Sequence, residues 1–394
     1  MTSSTKTRPK RLLALDILRG ITIAGMILVN NPGSWGHIYT PLEHASWHGL
    51  TPTDLVFPFF MFIMGVSTYF SLRKFNFRFT ADCVRKIIVR TIVIFAIGLG
   101  IAWLGLFMRG IPENGIWAAA CNFDHIRILG VMPRLALCYG IGSFIALGVG
   151  KKALPWFIFA MLAVYAAVLL VGNGLAFSET NIISRVDHAV LGENHMYHDT
   201  IDGVRLAFDP EGLLSTLPSI AHMLIGFMCG GLIVSTTDNN LRINKLFIVG
   251  TILTFSGFLL SYGMPINKKI WSPTFVLTTC GLASLFLGLL IWIIDIKGYR
   301  RWTRFFEAFG INPLFMYCLG AVLSIFLGCI RVPYAASPWG NGEISISGWF
   351  YNAVWTPVAG GDPVLASLFF AIAFVVMVWI PGYFLYKNKI YIKI

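Results

Sequence analysis

Ten apolar stretches dominate the chain, at about residues 12–30, 53–72, 87–107, 129–148, 154–172, 213–235, 246–262, 273–294, 308–330 and 364–385. A helix needs roughly 17 to 25 mostly apolar residues to cross the hydrocarbon core of a bilayer, and each stretch meets that length. The composition agrees: of 394 residues 56% are apolar and only 12% are charged, whereas a soluble domain carries about 25% charged residues. The expectation is an all-α integral membrane protein, a single domain over 1–394 built as a bundle of about ten transmembrane helices.

The first stretch follows the basic leader MTSSTKTRPKRLLALD. No small-residue cleavage site follows it, and Asp16 and Arg19 interrupt its apolar core, so it reads as a retained helix and not as a signal peptide. Ten spans place both termini on one side, and the positive-inside rule makes that side cytoplasmic. On that assignment 21 of the 30 basic residues fall inside, among them the clusters at Lys6–Arg11, Arg85–Arg90 and Arg300–Arg304. The net charge of +12 is then topology plus attraction to anionic lipid headgroups, and a nucleic-acid partner is not needed to explain it.

Three longer segments, 31–52, 173–212 and 331–362, all fall on the outer face. They are rich in Gly, Pro, Asn, His and Trp, as ordered binding loops are. The middle one carries His188, His195 and His198 among several acids, but none of these spacings is compact on a recognisable element, so they read as solvated histidines and no metal is expected. Five of the seven cysteines fall in or at the ends of helices, where a thiol behaves as a small apolar group. Cys83 is cytoplasmic and reduced. Cys121 is outside, where a pairing with Cys329 stays open.

Ionisable side chains inside membrane helices are costly and face a cavity or a partner. Asp16 and Arg19 stand three apart on one helical face, which fits a buried ion pair or a site for an anionic cofactor. Arg11 fits the same cofactor or a snorkelling anchor. Arg127 and Arg134, seven apart, are read as two guanidiniums on one stripe of a helix, a clamp for a polyanion or carboxylate. Asn30 ends the first helix, as a terminator or as a donor to a carbonyl. The acids of Asp209-Pro-Glu-Gly212, with Glu211 also a substrate-binding candidate, are accounted for by capping of the sixth helix. Asn312-Pro313 breaks the ninth helix and frees backbone groups that must be satisfied elsewhere.

The most polar outer stretch is HASWHGLTPTD, residues 44–54. An imidazole is the natural proton acceptor near neutral pH, and acyl transfer to an amine or hydroxyl needs such a base within hydrogen-bond reach. His44 and His48 both qualify. Asp54 either orients an imidazole or caps the second helix, and Trp47 and His48 are candidates for contact with a substrate.

The blocks RLLALDILRGITIAGMILVN, HASWHGLTPTDLVFPFFMFIMGVS, RILGVMPRLALCY, DPEGLLSTLPSIAHMLIGFMCGG, INKKIWSPTFVLTT and GINPLFMY resemble the heparan-α-glucosaminide N-acetyltransferase family of the transmembrane acyltransferase superfamily. They resemble most its bacterial members, the NagX-like inner-membrane amino-sugar acetyltransferases. The resemblance implies transfer of acetyl from cytosolic acetyl-CoA, held in a central pore, to the amine of a glucosamine on the other side of the membrane. It implies that His44 is the catalytic residue, with Asn30 at the acetyl carbonyl and Asp54 beside them. His48 stands where the lysosomal enzyme has Asn. Arg11, Arg127 and Lys393 match donor-site positions, with Arg19 and Arg134 further cofactor candidates. The lysosomal enzyme's large N-terminal lumenal segment has no counterpart, so a small or short amino sugar is the expected acceptor. A homodimer in a bacterial inner membrane is expected from the family alone. An O-acetyltransferase of surface or cell-wall glycans and a secondary transporter are the rival readings, although a transporter calls for inverted repeats and no repeat is visible.

Overall fold

The computed structural model describes residues 12–335 and 342–392, so the expected donor residues Arg11 and Lys393 lie outside the described residues. Each of the ten apolar stretches is helical. They form α1 (Leu13–Val29), α2 (Val56–Arg73), α3 (Ala81–Ala120), α4 (Val131–Gly148), α5 (Leu154–Val171), α7 (Thr216–Ser235), α8 (Asn239–Leu260), α9 (Pro273–Leu290), the pair α10 (Thr303–Ile311) and α11 (Pro313–Cys329), and α14 (Pro363–Lys387). Among the described residues eight helices are long and apolar enough to cross a membrane, or nine if the bent pair α10–α11 is one span. The expected ten differs because α1 has only 17 residues and carries two charges.

Those charges are satisfied inside the bundle. Arg19 Nη1 lies 3.2 Å from Asp16 Oδ1 and 3.3 Å from the Gly310 carbonyl, and Nη2 donates to Ser67 Oγ at 2.8 Å. The ion pair therefore ties α1 to α10 and α2, the structural alternative left open by the sequence.

Helix–helix approach depends on small residues, because lipid supplies no hydrophobic drive between helices and close van der Waals contact must replace it. At the α2–α7 crossing a Cβ on Gly65 would collide with the Met223 carbonyl, and one on Gly226 with the Phe62 carbonyl. Two glycines facing each other's backbones let these helices form one of the closest pairs in the bundle. The break at Asn312-Pro313 bends α10 against α11 by 87°. The Asn312 side chain pins the bend to the segment after α14: its Nδ2 donates to the Ile390 carbonyl at 2.9 Å, and its Oδ1 accepts from the Ile392 amide at 2.9 Å.

The outer segments, expected as ordered loops, contain regular secondary structure. Residues 173–212 contain α6 (Ile182–Leu191) and a hairpin of β1 (His198–Ile201) with β2 (Val204–Ala207), in register His198 to Ala207. The hairpin turns on Asp202-Gly203, both at positive φ (49° and 79°), the dipeptide that a tight two-residue turn favours. Asn181 caps α6 by accepting from the Ile183 amide at 2.9 Å while its amide holds the Gly174 and Ala176 carbonyls. Residues 331–358 hold a second hairpin, β3 (Arg331–Pro333) with β4 (Glu343–Ser345), followed by α12 (Ile346–Trp349), a π-helical turn and α13 (Thr356–Val358). All seven cysteines are free thiols, so Cys121 and Cys329 are not joined.

Gly226→Ala tests the close approach. It is expected to cost about 1–3 kcal/mol through overpacking, read as a lower melting temperature in detergent. Gly100→Ala, where an added Cβ meets nothing within 4 Å, is expected to leave the melting temperature unchanged or raise it slightly.

Candidate active site

Asp54 is the centre of the site. It is the third residue of a short helical turn, Pro52–Leu55, leading into α2, and it forms a capping box with Thr51. Its Oδ2 accepts from the Ala45 amide (3.1 Å), the Thr51 amide (3.1 Å) and Thr51 Oγ1 (3.0 Å). Its Oδ1 lies 2.7 Å from His44 Nδ1. Capping and orienting an imidazole, offered by the sequence as alternatives, are both performed by this one carboxylate. An ionised carboxylate only accepts hydrogen bonds, so Nδ1 carries the proton and Nε2 is left as the basic nitrogen. The carboxylate is 1% exposed and the imidazole 39%, which separates a fixed orienting group from an accessible reacting one.

His44 opens into a cavity of about 330 Å³. Asn30 and Trp35 line it from the end of α1 and the following loop, Trp47 and Asp54 from the 44–54 stretch, Tyr197, Asp199 and Glu211 from the middle outer segment, and Tyr317 from α11. Asn30 caps the C-terminus of α1 and is exposed to this space. Trp47 donates to the Leu175 carbonyl at 2.8 Å and packs on Phe177 and Phe208, which fastens the outer segment over the site. His48 does not line the cavity: its Nδ1 meets Asn267 Nδ2 at 3.3 Å. One histidine of the two is therefore placed for chemistry.

Arg127 corrects two expectations. It does not share a helical stripe with Arg134, because Gly130 is extended and α4 begins only at Val131. Instead it reaches across the cavity wall to Asp209 (Nε–Oδ2 2.9 Å, Nη2–Oδ1 2.6 Å) and to Glu211 (Nη2–Oε2 2.6 Å). Those acids in turn do not cap a helix, since α7 starts at Thr216 and Asp209 is wholly buried under Arg127. Burial opposes the guanidinium's charge, but Asp209 and then Glu211 hold it protonated more firmly than usual. Burial likewise works against ionised Glu211, and Arg127 outweighs it and keeps the carboxyl low. Arg134 is fully buried, bonded to the Gly212 carbonyl at 2.9 Å and to Ser215 Oγ, with its guanidinium over the Trp271 ring. It fixes the turn that carries Glu211 and does not line the cavity.

Four groups at the site had no role assigned from sequence: Lys268, Lys269, Asp199 and Tyr317. Lys268 Nζ stands 3.0 and 3.3 Å from the two ring nitrogens of His44, and Lys269 Nζ is 2.5 Å from Asp199 Oδ2. The signal that marks the lysines is their position, two adjacent cations on the outer face against the positive-inside bias. Nothing in sequence brings Tyr317 or Asp199 to residue 44. Of the outer histidines, His195 ties the segment down, its Nδ1 meeting the Ile126 carbonyl at 2.8 Å, while His188 is exposed, as expected, and with His198 stands 3.6–3.9 Å from exposed Glu193.

A second cavity, of about 490 Å³, is lined by Leu13, Arg300, Arg301, Thr303, Arg304, Glu307 and Tyr386. Helix α1 joins the two, for Leu13 lies at its start and Asn30 at its end. Seventeen residues at about 1.5 Å each set them about 25 Å apart, so they open towards opposite ends of the bundle.

A helical membrane bundle with a carboxylate-oriented imidazole at one end and an arginine-lined cleft at the other defines the class, and sequence comparison agrees. The family model described as "Heparan-alpha-glucosaminide N-acetyltransferase, catalytic" matches residues 11–262. The chain belongs to that family. It is 27% identical over 366 residues to the human heparan-alpha-glucosaminide N-acetyltransferase and 26% identical over 369 residues to the mouse protein. These alignments take in 78% and 79% of this chain but 52% and 53% of the relatives, so the chain spans about half the length of the curated proteins it matches.

One further carboxyl supports the site from behind. Asp187 of α6 is fully buried, and its Oδ1 accepts from the Leu213 amide at 2.8 Å and from that of Leu214 at 3.4 Å. Burial raises it to about 7 despite those donors. Between the ordinary carboxylate range and pH 7 the folded protein then holds a proton that the unfolded chain has released, so stability falls as pH rises through that window and levels off above it. The melting temperature in detergent is expected to decline from pH 4.5 to 7. Asp187→Asn, which keeps an acceptor for the Leu213 amide, is expected to flatten that decline.

Proposed function

We propose that this protein is a transmembrane N-acetyltransferase that moves acetyl from cytosolic acetyl-CoA to the amine of glucosamine or a related amino sugar on the outer side. The observation that carries the reading is the 2.7 Å contact between His44 Nδ1 and Asp54 Oδ1, which leaves Nε2 as a base in a polar cavity at one end of an apolar bundle. The names of the human and mouse relatives support the same activity.

On this reading ten helices cross a bacterial inner membrane, with both termini in the cytoplasm. The cleft at Arg300, Arg301 and Arg304 faces the cytoplasm, and its guanidiniums suit the phosphates of a nucleotide donor. The residues fit such a donor by charge at that end and by polarity at the other. Arg11 and Lys393 are donor-site candidates by motif match alone, Arg19 is a further candidate, and Arg127 belongs to the wall of the acetyl-transfer cavity. The protein is active as one unit, expected to be a homodimer.

Acetyl-CoA supplies the activated acyl group as a thioester. Asn30 donates a hydrogen bond to the acyl oxygen as negative charge develops there, the work of an oxyanion hole. His44 Nε2 takes the proton of the attacking amine as the new C–N bond forms and passes it to the departing sulfur as the C–S bond breaks. Asp54 holds the ring in the one tautomer that allows this. Trp35, 68% exposed at the cavity, and Trp47 offer apolar faces to a pyranose ring, and Glu211 and Asp199 meet its polar edges. Transfer is direct, with no acetyl-enzyme.

The test is acetyl transfer by purified protein from acetyl-CoA to a panel of amino sugars. His44→Ala is expected to lose at least about 100-fold in kcat, and Asp54→Asn a smaller factor. Undiminished activity in His44→Ala would remove the base from the scheme. Turnover of N-acetylglucosamine at the rate of glucosamine would make the protein an O-acetyltransferase, since its amine is blocked.

A further inference from the structure

We infer that Lys268 is the positioning residue that holds His44 neutral and fixed against Asp54. The inference deepens the reading of His44 as base, and its observation is geometric. Lys268 Nζ lies 3.0 Å from Nδ1 and 3.3 Å from Nε2 of the imidazole and 3.5 Å from Asp54 Oδ1. Carboxylate, imidazole and ammonium thus form a closed triangle. Nδ1–H donates to Asp54, which leaves the in-plane lone pair of Nε2 for an incoming amine, and the near-equal distances to the two nitrogens set the ammonium against the face of the ring. A cation within about 4 Å disfavours a second positive charge, and the imidazolium is that second charge. Lys268 therefore opposes Asp54, which by itself would favour the protonated ring.

The backbone shows that this lysine is placed and not merely present. Its carbonyl accepts from the Trp271 amide at 3.0 Å, closing a turn in which Trp271, wholly buried, takes a positive φ of 51°. That conformation is uncommon for a bulky residue and persists only where its surroundings impose it. Here the indole is wedged between Phe57 and Phe275. On the other side of the lysine, buried Asn267 accepts from the Ile270 amide and bonds Ser272 through its own amide and carbonyl. The side chain is 17% exposed. Burial lowers its affinity for a proton, while Asp54 and Glu211 restore part of it and Lys269 works against them. Those groups, with His44, are the charged neighbours of the ammonium, and Asp54 and Lys268 are those of the ring.

The experiment reads His44 directly and does not require turnover. Diethyl pyrocarbonate acylates unprotonated imidazole, so the rate at which the His44 peptide gains a carbethoxy group, followed by mass spectrometry against pH, reports the ring's protonation. In Lys268→Met and Lys268→Gln the midpoint of that profile is expected to rise by about one pH unit. In Lys268→Arg, which keeps the charge, it is expected to stay at the wild-type value. Both neutral variants are read beside their melting temperatures, so that one failing to fold leaves the other. An unmoved midpoint in a folded neutral variant, or an equal shift in Lys268→Arg, would overturn the proposal. Where acetyl transfer is present, kcat in the neutral variants is expected to fall with decreasing pH, by up to about 10-fold well below the midpoint, with KM for acetyl-CoA unchanged. A shifted midpoint in a protein without acetyltransferase activity would keep this inference and refute the proposed function.

Discussion

The carboxylate of Asp54 is taken almost entirely out of water at the start of a membrane helix, and that choice shapes everything around it. A buried charge is tolerated only when it is surrounded by donors, and here the donors come from three parts of the chain. Thr51 supplies two and thereby starts α2. The Ala45 amide and the His44 ring fold the preceding stretch back onto that start, and Lys268 arrives from the turn between α8 and α9. Satisfying one anion thus assembles the reacting imidazole, the helix beneath it and a distant loop.

The same economy appears in the wall of the cavity. Arg127 neutralises Asp209 and Glu211, and Arg134 and Asp187 grip the 212–215 turn from opposite sides, one on carbonyl and hydroxyl oxygens and the other on amides. None of these pairs is a surface ion pair of the kind that contributes little. The two acids are buried beneath a partly covered Arg127, and removing that guanidinium would strand them. The outer segment is thereby fastened over the cavity into which His44 opens.

Much of this was legible residue by residue. The helices followed from the length of the apolar stretches, the Asp16–Arg19 pair from a spacing of three, and the bend before α11 from Asn312-Pro313, whereas the β1–β2 hairpin at Asp202-Gly203 went unread. The failures share a cause. Arg127 was assigned to a helix that begins four residues later, and Asp209 and Glu211 were given a local task, capping, because local rules are what a linear reading supplies. Their real partners are 82 and 84 residues apart in the chain, and no periodicity reports a contact at that range.

By itself the sequence determined that this chain folds as a bundle of apolar helices, which end carries the polar loops, and that His44, Asn30 and Asp54 are the residues to watch. Solvation settles the first two: a continuous apolar stretch has one stable environment, and polar groups beside it must collect at its ends; the motif match marked His44 and Asn30. Only the tertiary structure set His44, and not His48, on the cavity wall beside Asp54, turned Arg127 from a ligand-clamping stripe into the keystone of an acidic wall, and brought Lys268 against the imidazole. Those outcomes depend on which charges are neutralised when loops far apart in sequence close over one cavity. That is a property of packing in three dimensions, where burial makes each unpaired charge costly enough to choose its partner.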